Sequence, residues 1–236
     1  GLAEVVSLKA AELAQACKAD PEVAGEADLT TLKIAQAGCG AAPAQAKSFA
    51  EAFLAEGTPE PLKKLADAIT KTIAGFEDYV TAWEMCGPYS EEGKNATKLF
   101  DMSFPAEKGE GIWRIAPVGT NPGSKPFAID LLDALEGREC VAYLRTTVNS
   151  PAAQEALLQI GSNDGVKVWL NGALVHGANV GRPLTPDQDK IKVQLKEGAN
   201  ALLLAVYQQG GAWEACARFR ALDGNPLPGV TASVAE

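Results

Sequence analysis

The sequence predicts an α+β chain of more than one domain: a small N-terminal α-helical segment followed by a C-terminal antiparallel β-sandwich. Two observations predict it. Between Leu8 and about Phe76 the chain is dominated by Ala, Leu, Lys, Glu and Gln, with apolar residues every three or four positions, the period of an amphipathic helix. From Ala82 onward, short β-branched and aromatic runs alternate with clusters of Gly, Pro, Asn and Asp, the texture of strands and turns. No helical pattern separates the later runs, so the strands are expected to pair antiparallel in packed sheets. The 236 residues are long for one average domain, and the change of texture divides them into residues 1–80 and 81–236.

In the first part, Phe49, Phe53 and Leu54, then Leu62, Leu65, Ile69 and Ile73, mark helical stripes. Pro21, the Gly38-Cys39-Gly40 turn, Pro43 and the Gly57-Thr58-Pro59 break divide it into about four helices, with Thr58 placed to cap a helix whose first residue is Pro59. No internal period supports a solenoid, so a small bundle or a HEAT-like cap is expected. The stretch from Gly87 to Asp130, with Pro88, Pro105, Pro117, Pro122 and Pro126, reads as loop. Strands are expected at Cys140 to Val148, Ala156 to Ile160, Val166 to Leu170, Lys190 to Leu195, Ala201 to Gln208 and Trp213 to Phe219. Asn171-Gly172 tolerates the positive φ angles of a type I′ hairpin.

Charge narrows the function classes. A formal charge of −9 with no basic run repels polyanions, which argues against nucleic acid and anionic membrane surfaces. No apolar run approaches the ~18 to 20 residues of a membrane span, so no membrane insertion is expected. The first twenty residues lack the basic-then-apolar pattern of a signal peptide. A neutral ligand or another protein is left as partner.

The segments WEMCGPY, VAYLRTTVNSP, LLQIGSNDGVKVWLNGALVH and PDQDKIKVQLKEGANALLLAVYQQGGAWEACARF, in this order over roughly residues 80 to 220, resemble the galactose-binding-like β-sandwich module that opens family 2 glycoside hydrolases, and its relatives in secreted proteins of planctomycetes and verrucomicrobia. The most specific units are the turn-strand-Asn171-Gly172 stretch and the Lys196-x-Gly198-x-Asn200 stretch; neither is catalytic. The resemblance implies a jelly roll, a secreted or periplasmic location and a carbohydrate-linked setting. It leaves function open, because such sandwiches serve as sugar binders, docking modules and spacers.

Catalysis finds little support. His176 is the only histidine, and no nucleophile elbow, zinc motif, P-loop or dinucleotide fingerprint is present. Among 30 acidic residues some pair of carboxylates is inevitable, so such a pair signals nothing. The chain is therefore expected not to be an enzyme, and an unfamiliar active site would have to converge on His176.

Binding residues are sought in two places. On the strand VKVWL, Val166, Val168 and Leu170 share one face and Trp169 points to the other. Trp169 is then a packing anchor beneath the helices, an open platform for a sugar ring, or, with the register reversed, a core residue. At the sandwich rim, HGANVGRPLTPDQD offers His176, Asn179, Arg182, Asp187 and Asp189 as planar donors and acceptors for sugar hydroxyls, with Trp213 for stacking; the competing reading is a solvated loop. No cofactor is expected. Asn163 and Asp164 would contribute to a structural calcium but fall far short of its oxygen ligands, and a tight Asp164-Gly165 turn explains them equally well. The five cysteines allow the pairs Cys17–Cys39 and Cys86–Cys216 with Cys140 as a buried thiol, or five unbonded small side chains. Asn95-Ala96-Thr97 matches the glycosylation pattern. The expected function is a non-catalytic carbohydrate-binding accessory module of a secreted bacterial protein; the alternative is a structural or protein-docking module without glycan binding.

Overall fold

The computed structural model describes residues 8–20, 22–119 and 125–234. Pro21 and Pro122, read above as a break and as part of a loop, lie outside the described residues. The chain forms two compact units, one of residues 1–77 with 117–127, the other of residues 78–116 with 128–236.

The first unit holds α1 (Leu8–Ala16), α2 (Ala24–Ala37), α3 (Pro43–Glu51) and α4 (Glu60–Ala74). α2 is the hub, packing on α1, α3 and α4. Phe49, Phe53 and Ile69 are buried as their spacing requires, beside many alanines that let helices approach closely. Thr58 does not cap α4. The helix starts at Glu60 with Pro59 at the N-cap, no side chain caps it, and Pro61 occupies the first turn, where a missing N–H costs nothing.

The second unit is a sandwich of two antiparallel sheets. Its strands are β1 (Glu84–Tyr89), β2 (Arg114–Ile115), β3 (Ile129–Asp130), β4 (Cys140–Ser150), β5 (Gln154–Asn163), β6 (Val166–Leu170), β7 (Ala173–Ala178), β8 (Asp189–Leu195), β9 (Gly198–Gln208), β10 (Glu214–Arg220) and β11 (Thr231–Ser233), with short helices α5 (Ala96–Leu99) and α6 (Leu131–Leu135). The larger sheet runs β2-β1-β4-β9-β6-β7, with β11 also on β4; the smaller runs β3-β10-β5-β8. All six strands expected from the sequence are present. The region from Gly87 to Asp130, expected as loop, also contributes β2, β3 and α5, and β1 runs into it.

Alternation decides what lies between the sheets. Val166, Val168 and Leu170 are at most 5% exposed, as are Leu202, Leu204, Val206, Leu158 and Ile160. Trp169 therefore points to the opposite face of the larger sheet, and the reversed register is excluded. Part of that face is covered by the unit's own chain: Ala96, Leu99, Phe104 and Ala106 close over Cys86, Val141, Tyr143, Ala205 and Tyr207.

The two motifs that carry the resemblance lock onto each other. Asn171 and Gly172 take φ of 52° and 80°, as the β6–β7 turn requires. Asn171 Nδ2 donates to Asn200 Oδ1 at 2.9 Å, and Asn171 Oδ1 accepts from the Ala201 N–H at 3.1 Å. Asn200, fully buried, also accepts from the Lys196 N–H at 2.9 Å and donates to the carbonyls of Lys196 and Gly198. Both motifs tie turns together.

None of the five cysteines is in a disulfide; Cys17 is exposed and the others are buried. The pair Cys86–Cys216 is overturned by topology: Cys86 lies on β1 of the larger sheet, in the cluster on its outer face, and Cys216 on β10 of the smaller sheet. Cys39 Sγ donates to the Val118 carbonyl at 3.4 Å rather than bonding Cys17. Cys140 is a buried thiol.

Candidate functional site

The ladder registers draw one row of side chains across the outer face of the larger sheet. Ile115 pairs with Glu84, Glu84 with Arg145, Arg145 with Leu203, Leu203 with Trp169 and Trp169 with Leu174. Directly paired residues in antiparallel strands project to the same side. The next row, Cys86, Tyr143 and Ala205, is roofed by the 96–106 segment. The covering chain stops there, and the row from Glu84 to Trp169 becomes the floor of an open cleft.

That cleft has a volume of about 510 Å³, and its lining includes Glu84, Glu107, Trp113, Arg145, Thr147 and Trp169. Strands about 4.8 Å apart put Arg145 and Trp169, two strands from each other, about 10 Å apart at the backbone. Arg145 donates from Nε and Nη2 to the two carboxylate oxygens of Glu84 at 2.8 and 3.1 Å, and its guanidinium lies 4.1 Å over the Trp113 ring. The ion pair and the stacking together fix the arginine in one orientation. Glu107 accepts from the Tyr143 hydroxyl at 2.6 Å and from Ser103 Oγ at 2.7 Å. Burial and the Glu107 hydrogen bond push the Tyr143 phenol up from its ordinary value, so it stays a donor. The Trp113 indole N–H is buried and has no hydrogen-bond partner.

Two half-buried tryptophans flank a strip of planar polar groups. A sugar ring has apolar C–H faces that stack on indole and hydroxyl pairs that fit planar donors and acceptors. The volume lies within the ordinary range of ligand clefts.

The chain matches no family model, and no curated protein is similar to it. Solved structures give partial likenesses. A PA14 sugar-binding domain from an RTX adhesin aligns at 16% identity with a TM-score of 0.32, over 39% of this chain and 51% of that one. A family 35 carbohydrate binding module from an environmental isolate aligns at 15% identity and a TM-score of 0.32, over 40% and 72%. The PA14 domain of the MpAFP antifreeze protein aligns at 15% identity and a TM-score of 0.34, over 67% and 75%. The chain thus spans about half of the adhesin domain. Scores this low leave its family unassigned.

Of the residues expected at a site, only Trp169 lines the cleft. The rim residues are engaged within the protein: His176, Arg182 and Asp189 meet one another, and Asp187 and Asn179 bond to other segments. Arg182 donates from Nη1 to Asp189 Oδ1 at 3.1 Å, also pairs through Nη2 with Asp189 Oδ2, and donates to Ser162 Oγ at 2.8 Å. His176 Nε2 stands 3.3 Å from Asp189 Oδ2. Burial of Asp189 opposes its charge, but the Arg182 and His176 contacts outweigh it and hold the carboxyl below its usual 3.8. Asp187 accepts from the Tyr79 hydroxyl at 3.1 Å and pairs with Arg218. Asn179 donates to the Thr97 carbonyl at 3.0 Å. Groups apt to bind sugar hydroxyls are equally apt to bind each other, and here they staple the 179–189 loop to the sheet. Gly161 shows how closely that loop approaches: a Cβ there would stand 2.6 Å from the Thr185 carbonyl.

Trp213 is corrected outright. It is fully buried and its indole donates to the Val206 carbonyl at 3.1 Å, so no ring face is open to a ligand. Asp164 accepts from the Arg182 and Gln209 backbone N–H groups at 3.0 and 2.8 Å, which commits both of its oxygens. Among the described residues no group of three or more His, Cys, Asp and Glu is placed to hold a metal. Asn95 caps α5, accepting from the Lys98 N–H at 3.1 Å. No helix among the described residues is long and apolar enough to cross a membrane.

Sequence reasoning missed Glu84, Glu107, Trp113 and Arg145. One signal was available: in VAYLRTT, Val141, Tyr143 and Arg145 alternate onto one face, so an arginine follows an aliphatic and an aromatic residue on the same face of the strand.

Proposed function

We propose that the sandwich unit is a non-catalytic glycan-binding module and that it binds through the cleft between Trp113 and Trp169. The observation that carries this reading is the single row across the larger sheet, in which the Glu84–Arg145 pair and Trp169 stand side by side with Trp113 stacked beneath the guanidinium. Trp169 offers a stacking face, while Arg145, Glu84 and Thr147 offer hydrogen bonds. Both cleft carboxylates are already engaged by neighbouring side chains, an arrangement suited to holding a sugar rather than to passing protons. A secreted or periplasmic location fits such a role.

Affinity gel electrophoresis over plant, algal and microbial polysaccharides tests it. Retardation by at least one polymer is expected, with quenching or a blue shift of tryptophan fluorescence. Trp169→Ala is expected to weaken binding by about twofold to tenfold, since stacking on one aromatic ring is worth about 0.5 to 1.5 kcal/mol. Full retention of binding in Trp169→Ala rejects this cleft. No retardation by any polymer favours the docking module, to which exposed Ile112 (89%) and Leu174 (58%) would offer apolar contacts.

A further inference from the structure

We propose that the cleft selects uncharged glycan and turns away uronate-bearing chains, and that Glu84 sets this preference. The inference rests on the glycan reading above and adds the substrate class.

The charged residues lining the cleft are Glu84, Glu107 and Arg145, two carboxylates facing one guanidinium. Recognition of a sugar carboxylate depends on a bidentate fork of guanidinium N–H groups. One of the two guanidinium forks is filled from within the protein, Nε and Nη2 being held by Glu84 at 2.8 and 3.1 Å, and one flat face of the guanidinium lies on Trp113. A uronate has two ways in, and both are unfavourable. It displaces Glu84, whose side chain is only 13% exposed, and leaves a largely buried carboxylate without its partner. Or it shares the guanidinium and brings two like charges within a few ångströms.

Hydroxyl groups meet neither obstacle. The remaining Arg145 N–H groups donate to a hydroxyl oxygen, and the carboxylate oxygens and Thr147 Oγ1 accept hydroxyl protons. The net charge of −9 acts in the same direction over longer range, though salt screens it. A preference that persists at raised salt is therefore local to the cleft.

The test is affinity electrophoresis of the full chain in gels containing neutral polymers (β-glucan, mannan, galactan) or uronate polymers (polygalacturonate, alginate), at low and raised salt, with wild type and Glu84→Gln. Wild type is expected to be retarded by a neutral polymer and not by the uronates, at either salt. In Glu84→Gln the released guanidinium is expected to raise the ratio of uronate to neutral binding about tenfold, the order of one charge-assisted hydrogen bond. Wild type held by uronates as well as by neutral polymers overturns the charge preference and leaves the glycan reading standing, as does a ratio unchanged in the folded variant. Retardation by neither kind of polymer overturns both. The wild-type comparison decides the preference even if the variant does not fold.

Discussion

At the scale of single residues, the two sandwich tryptophans discussed from the sequence have opposite roles, and burial separates them. Trp213 is fully buried with its indole N–H satisfied; Trp169 is half-buried beside the aromatic cluster and lines the cleft. Truncating a buried tryptophan removes its transfer energy and leaves a cavity, so Trp213→Ala is expected to destabilise the sandwich by about 3 to 5 kcal/mol. Trp169→Ala, with only part of the ring buried, is expected to cost less than half of that. Urea unfolding midpoints measure both. Equal losses would mean that Trp169 is an ordinary core residue and that the cleft is incidental.

At the scale of elements, the 179–189 loop illustrates how polar side chains hold irregular backbone to a sheet. Its acid sensitivity follows from Asp189, whose carboxyl is held below its usual 3.8. A carboxyl with a depressed folded value contributes stability above its unfolded value, and that contribution disappears as the pH falls through the folded one. The gap in urea midpoint between wild type and Asp189→Asn is thus expected to be constant from about pH 7 to about pH 5 and to narrow below about pH 4. A gap that widens on acidification contradicts the assignment. The strands missed from the sequence have element-level reasons too. β1 contains Gly87 and Pro88, residues that oppose a strand assignment, and the ladder shifts register between Cys86 and Tyr89 to accommodate them. β7 is an edge strand with mostly exposed or half-buried side chains, so it lacks a clear apolar alternation.

At the scale of the whole molecule, the cysteines report on integrity in both units. Burial pushes the Cys39 thiol up to about 11, and burial together with Glu139 pushes Cys140 up to about 12; Cys86 and Cys216 are buried as well, and Cys17 is exposed. A thiol reagent at neutral pH is expected to modify one cysteine, Cys17, quickly and the other four only on unfolding, since thiolate and access are both needed. Peptide mapping of the labelled protein checks this. Fast labelling of Cys86 or Cys216 would mean that the sandwich opens locally.

The amino-acid sequence by itself determined the helical segment and the six principal strands, because these follow from side-chain period and turn chemistry within short windows, while the face taken by Trp169 was fixed only by the burial of its neighbours. It also marked the Asn171 and Asn200 motifs, although not that they bond to each other. The cleft was decided only by tertiary structure. Glu84, Arg145 and Trp169 lie on separate strands whose register brings them into one row, and Trp113, outside the strands, joins them by stacking on Arg145. Which partners the rim side chains take was likewise decided by packing: Arg182 and His176 meet Asp189, while Asp187 pairs with Arg218 and Asn179 bonds to the Thr97 carbonyl, groups distant in the chain.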